Sequence, residues 1–173
     1  MGRTTLEETV NTILYFAYGS NMSTRRLVAR VPSATVVSVA ELRGHRLAFH
    51  KIGKDGSAKC DAASTSDPHD IVYGVVFFIP LSEKAMLDKI ECLGRGYEEK
   101  EIGLLSETGV AFQTVTYYAT NIDASLKPRD WYVEHVLRGA REHRLPTDYI
   151  SRIEAIESIP DPENYKTEMA IYP

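Results

Sequence analysis

The chain has 173 residues, 43% of them hydrophobic and 25% charged, with a formal net charge of −4. At about 150 residues per domain this is a one-domain length, and the balance is that of a globular chain, too apolar for disorder. A mild acidic excess argues against nucleic acid or an anionic membrane as the main partner. Cys60 and Cys92 are too few and too far apart for a disulfide framework, a zinc site or a redox motif.

Residues 1–12 read as a polar lead-in, and residues 13–173 as a single domain. The lead-in has no apolar h-region, and Leu6 stands where a myristoylation signal carries Ser or Thr, so the expected compartment is the cytoplasm. The run Ile13 to Tyr18 predicts a buried strand broken at Gly19-Ser20-Asn21. Asn21 and Ser23 are N-cap candidates for a short helix that stops near Pro32. Thr35 to His50 predicts two strands around Arg43-Gly44, followed by a polar loop over 51–57 and a weak strand over 58–65.

Ser66-Asp67-Pro68-His69-Asp70 marks a turn. The strand Ile71 to Ile79 is the strongest in the chain, yet its apolar stretch is far shorter than the roughly 20 residues of a membrane helix. Ser82 is expected to cap a helix with an apolar stripe of Leu81, Ala85, Met86 and Ile90, stopped at Gly94 and Gly96. Residues 97–105 and 110–120 predict a hairpin. Two helices follow, one carrying Trp131 to Ala140 and one starting at Thr147 with Ile150, Ile153 and Ile156. Six or seven strands with four helices, not regularly alternating, indicate an α+β fold whose sheet curls into a mixed, partly closed β-barrel flanked by helices.

The common catalytic motifs are missing. The five histidines show no metal-ligand spacing and read as surface or partly buried residues, and HExxH, GxSxG and the P-loop pattern do not occur. Neither cysteine neighbours a base or a helix start. What remains is Tyr18-Gly19-Ser20-Asn21 between strand and helix, where successive unpaired N–H groups can hold a carboxylate or an oxyanion. Plain capping chemistry also accounts for that turn. Glu91 ends the apolar helix and is either a sheltered general base or an ordinary glutamate of a last helical turn.

In order along the chain, FAYGSNM (16–22), Leu42-x-Gly44 with Phe49, YGVVFFI (73–79), LDKIE (87–91) and Gly96-Tyr97 resemble the γ-glutamylcyclotransferase family, with its AIG2-like and butirosin-biosynthesis relatives. Tyr132, Gly139-Ala140-Arg141-Glu142 and Leu145-Pro146-x-x-Tyr149 extend the resemblance to about Ile156 and look like the subgroup acting on free γ-glutamyl amino acids. The resemblance implies a mixed barrel flanked by helices. It implies closure of a γ-glutamyl amino acid or amine to 5-oxoproline, with Glu91 as general acid/base. Tyr18, Gly19, Ser20 and Asn21 would bind the γ-glutamyl group and Tyr132 would line the site. No metal or cofactor is expected, the partner is a small γ-glutamyl substrate, and a homodimer is the assembly the family suggests. Ser20 has no histidine near it in sequence and is kept as a binding residue.

The nucleophile in such a reaction is the substrate's own α-amine. A glutamate near pKa 4.3 is a weak base for an amine near 8, so Glu91 is expected to be sheltered and its pKa raised, with Tyr18 and Tyr132 as walls. Cys92 follows Glu91 where the family often has glycine, which bears on the leaving-group side of the pocket. The competing reading is a non-catalytic module of the same fold that senses a small acid.

Overall fold

Strand β5 (Ile71–Pro80) explains its own composition: it bonds to β1 (Thr12–Ala17) on one side and to β2 (Thr35–Arg43) on the other, both antiparallel. With both edges paired and most of its side chains buried, a nearly continuous apolar run is what it requires. In this computed structural model, which describes residues 11–173, β2 also pairs antiparallel with β6 (Tyr97–Ser106) at Ala40↔Ser106 and Glu41↔Leu105, and β6 pairs along its length with β7 (Ala111–Ala119). A parallel contact at Tyr15↔Val115 joins β1 to β7 and closes the barrel in the order β1-β5-β2-β6-β7. The expected α+β barrel is therefore present, and it is mixed and closed. Most of the lead-in read from the sequence lies outside the described residues.

Strands β3 (His45–Ile52) and β4 (Ala58–Ser64) form a separate two-stranded sheet. β3 runs two residues further than the sequence suggests, into the expected polar loop, and carries a bulge between Phe49 and Lys51.

Helix α1 (Thr24–Arg30) starts at Ser23, whose Oγ accepts the Arg26 N–H at 3.4 Å. Asn21 is not the cap; it lies in the 3₁₀ turn Ser20–Met22. Helix α2 (Lys84–Ile90) differs more from expectation. Ser82 caps nothing, and the buried residue is Leu87, while Leu81, Ala85 and Met86 are exposed. A seven-residue helix meets the core with one turn only, so Leu87 goes in and the i−3 and i+4 positions Lys84 and Glu91 flank it.

Helix α3 (Asp130–Glu142) buries Tyr132, Val133, Val136, Leu137 and Ala140 against the barrel end. Gly139 lets it rest on the turn after β1. A Cβ there would lie 2.5 Å from both Met22 Cβ and Ser23 N, closer than any side chain tolerates. Helix α4 (Thr147–Glu154) buries Tyr149 and Ile153 but stops before Ile156. A fifth helix, α5 (Pro162–Met169), was not expected from the sequence. It has no buried residue and so no apolar stripe to read, although Asp161 at its N-cap and Pro162 at its first position are standard start signals.

Candidate active site

β1 delivers Tyr15 and Tyr18 to one end of the barrel, and the chain then turns sharply through Gly19. A Cβ on Gly19 would lie 3.1 Å from Cys60 Cβ and 3.3 Å from Tyr132 Oη, so β4 and α3 pack directly on this backbone. The turn's hydrogen bonds begin at Met22, whose N–H donates to Gly19 O (3.0 Å), followed by Ser23 N–H to Ser20 O (3.3 Å). The N–H groups of Gly19, Ser20 and Asn21 thus occupy the place of a helix's first, unpaired donors.

Glu91 ends α2 and points back at this turn. Its carboxylate Oε1 accepts a 2.6 Å hydrogen bond from Asn21 Nδ2. The same amide nitrogen lies 3.3 Å from Tyr15 Oη, and Asn21 Oδ1 accepts from Arg30 Nη1 at 3.1 Å. Arginine has only donors, so the bond from Arg30 fixes which end of the Asn21 amide faces Glu91. Residues 21 and 91, seventy positions apart, are locked together by an amide that α1 orients.

The reversal after Glu91 is a Schellman turn: Leu93 N–H donates to Asp88 O (3.0 Å) and Cys92 N–H to Lys89 O (3.3 Å). Cys92 takes the left-handed position with φ 56°, where glycine is the unstrained residue. Cysteine in place of the family's glycine therefore leaves the helix end intact, under strain.

Ten residues enclose a cavity of about 30 Å³ around the Glu91 carboxylate. All the residues singled out from the sequence line it: Tyr18, Gly19, Ser20, Asn21, Glu91 and Tyr132. Four more were missed, namely Tyr15, Cys60, Tyr97 and Tyr117. Gly96-Tyr97 was part of the resemblance, but nothing local marked the other three. The walls are self-bonded. Tyr18 Oη donates to Tyr117 O (2.6 Å), Tyr97 Oη to Cys60 O, Tyr117 Oη to Asp88 Oδ1 (2.5 Å), and Tyr132 Oη accepts from Cys60 N–H (3.0 Å).

This enclosure sets the electrostatics. Desolvation raises the Glu91 pKa above the ordinary carboxylate value, opposed by Arg30, Lys51, the Asn21 hydrogen bond and Arg26. The same burial pushes all five tyrosine hydroxyls up and the Cys60 thiol up to about 12, so neither a phenolate nor a thiolate competes with Glu91 as base.

Beyond this cavity lies a wider cleft of about 370 Å³ that shares Ser20, Glu91, Tyr97 and Tyr132 with it. Its far wall is the chain's last helix, through Asn164 and Glu168. Polar pins hold that wall. Arg26 Nη1 donates to Glu168 Oε2 (2.7 Å) and lies 2.7 Å from His135 Nε2; His135 Nδ1 meets Tyr172 Oη at 2.7 Å, and Tyr172 Oη donates to Ser23 Oγ at 2.9 Å. His135 is completely buried, against the expectation of a surface or partly buried residue. Burial and Arg26 push its pKa down to about 4, so the ring is neutral near pH 7. His135 Nε2 also lies 2.8 Å from Glu168 Oε2, so Arg26, His135 and Glu168 form one polar cluster beneath the last helix.

Among the described residues, no group of His, Cys, Asp and Glu has the arrangement to hold a metal ion, and no helix is long and apolar enough to cross a membrane.

Known proteins share this fold and much of its sequence. The sequence pattern of the AIG2-like family matches residues 71–153. A γ-glutamylcyclotransferase of Bos taurus is 34% identical over 161 residues, covering 91% of this chain and 83% of its own. That of Homo sapiens is 34% identical over 148 residues, covering 83% and 78%. A solved γ-glutamyl cyclotransferase structure superposes with a TM-score of 0.82 at 27% identity, covering 92% of this chain and 99% of that one.

Proposed function

Since the chain belongs to the γ-glutamylcyclotransferase family, we propose that it converts a γ-glutamyl amino acid to 5-oxoproline and the free amino acid, with Glu91 as general acid/base. The observation that carries the assignment of Glu91 is its 2.6 Å hydrogen bond to Asn21, which sets a sheltered carboxylate against the Tyr18–Asn21 turn. In the reaction, the substrate's α-amine nitrogen bonds to the γ-carbonyl carbon and the bond from that carbon to the leaving nitrogen breaks. Glu91 accepts the proton lost by the attacking amine and delivers it to the departing nitrogen. A raised pKa suits both halves, because the carboxylate becomes a better base while its acid form can still donate.

The turn N–H groups of Gly19, Ser20 and Asn21 bind the γ-glutamyl group, and Tyr132 walls the site. Ring closure needs amine and carbonyl about 3–3.5 Å apart, and a site walled by hydrogen-bonded tyrosines favours the curled substrate over the extended one. Ser20 bonds to no histidine among the described residues, which supports a binding role over a nucleophilic one. A half-buried carboxylate works against capture of an anion, so Glu91 also favours an enzyme over a small-acid sensor.

The reading extends to residues 13–173 acting as one domain, to a homodimer, which the family resemblance supports, and to the cytoplasm; sedimentation of the purified chain tests the dimer. The reaction is tested by incubating the protein with γ-glutamyl-alanine. Equimolar 5-oxoproline and alanine are expected, and hydrolysis to glutamate and alanine would refute it.

A further inference from the structure

The outer cleft is more positive than its own acids neutralise. Arg26, Arg30, Lys51, Lys54 and Lys59 line it. Four of these are accounted for. Arg26 pairs with Glu168 at 2.7 Å, and Arg30 is spent on Asn21 Oδ1. Lys59 lies between both oxygens of Asp55 at 3.1 and 3.2 Å, and Lys54 is exposed to bulk water.

Lys51 differs. The residue is only 4% exposed, and among the described residues its ammonium has neither an ion pair nor a hydrogen-bond acceptor. It sits 4.5 Å from the centroid of the Tyr97 ring. Gly96 leaves the room: a Cβ there would fall 3.0 Å from Lys51 Cε and 3.3 Å from Nζ.

The β3 bulge explains how a lysine comes to be there. Bulges beside a site re-aim side chains, and this one sets Lys51 directly across from Lys59. Two like charges facing across a strand pair repel, and Asp55 neutralises only Lys59. Glu91 attracts the Lys51 ammonium only from beyond ion-pair distance, so the ammonium faces the cleft with no acceptor in reach and can meet an anion that arrives with a ligand.

Which anion follows from position. Lys51 lines the outer cleft and not the inner cavity, while Glu91 and Ser20 line both, which sets the reacting carbons where the two meet and Lys51 on the outer side of them. The part of the substrate that reaches Lys51 is the part that leaves. We propose that Lys51 binds the α-carboxylate of the leaving amino acid and so selects γ-glutamyl amino acids over γ-glutamyl amines. This inference rests on the cyclotransferase reading.

The test compares wild type, Lys51→Met and Lys51→Arg, each as the full chain, on γ-glutamyl-alanine and γ-glutamyl-ethylamine. The two substrates differ in the leaving carboxylate. The quantity read is the ratio of their kcat/KM values, which cancels effects of Lys51 on Glu91 ionisation or on folding. A charge-assisted contact predicts a tenfold to hundredfold fall of that ratio in Lys51→Met, mainly through KM for γ-glutamyl-alanine, with partial recovery in Lys51→Arg. An unchanged ratio overturns the proposal, even if both rates fall, because Lys51 would then serve the shared γ-glutamyl group, Glu91 or the fold. If wild type forms 5-oxoproline from neither substrate, it is the cyclotransferase reading that fails. Calorimetric Kd values for the two compounds then decide Lys51 by the same ratio.

Discussion

Asn21→Leu removes the amide that holds Glu91 while keeping nearly the same side-chain shape. The lost contact is a 2.6 Å hydrogen bond to a carboxylate, worth about 1.5–3 kcal/mol and felt mainly by the ionised form. At 1.36 kcal/mol per pKa unit, its removal raises the Glu91 pKa by about 1–2 units above an already raised value. Arg30 loses its acceptor on Asn21 but keeps its attraction for Glu91, which places the shift toward the lower end. Glu91 must be ionised in the free enzyme to take the amine proton, so kcat/KM rises with pH as it ionises. The acid limb of the profile for γ-glutamyl-alanine, measured over about pH 5 to 9, should therefore move to higher pH by about 1 unit or more. A limb that stays in place or moves to lower pH would refute both the assignment of that limb to Glu91 and the orienting role of Asn21.

Two further outcomes follow from the surroundings of the site. Cys92→Gly relieves a left-handed residue at a cost of about 1–2 kcal/mol and gives back about 0.4–1 through the more flexible unfolded chain, so a net gain of about 0.5–1 kcal/mol is expected. It should raise the urea midpoint without changing the slope, and a lower midpoint would contradict it. His135 has a folded-state pKa near 4, below the ordinary 6.5, so its contribution is complete above pH 6.5 and is lost as pH falls toward 4. The loss amounts to up to about 3 kcal/mol, and protonation sets a cationic ring against Arg26 and within pairing distance of Glu168 on α5. Trp131, the single tryptophan, stacks edge-on to His135 at 6.2 Å and donates from Nε1 to Asp161 Oδ2 at 3.1 Å. Its fluorescence should change between pH 6.5 and 4; a flat trace in wild type would sink the idea.

What could be read from the sequence was what is local. The strand, turn and helix over 13–30 are encoded by adjacent residues, and so is the β5 run. Glu91 was legible as a helix end but not as an inward-facing group, because its orientation depends on Leu87 rather than on the broader stripe of Leu81, Ala85 and Met86. Tyr15, Tyr97 and Tyr117 reach the cavity from three different strands, and it is barrel closure at Tyr15↔Val115 that brings them together. Pattern alone cannot show that closure, since strand pairing is not written in either strand separately. Lys51 was hidden for a related reason, because the β3 bulge interrupts the alternation that would have assigned it a face. α5 was missed since polar pins, not an apolar stripe, hold it against α1 and α3.

The account's central claim is that one sheltered carboxylate handles both proton transfers. Glu91→Gln keeps the size and the hydrogen-bond acceptor for Asn21 but can take no proton. With γ-glutamyl-alanine, kcat should fall by about 10²- to 10⁴-fold while the dipeptide still binds within a few fold of wild type. A Glu91→Gln enzyme that releases 5-oxoproline within tenfold of the wild-type rate would contradict the claim.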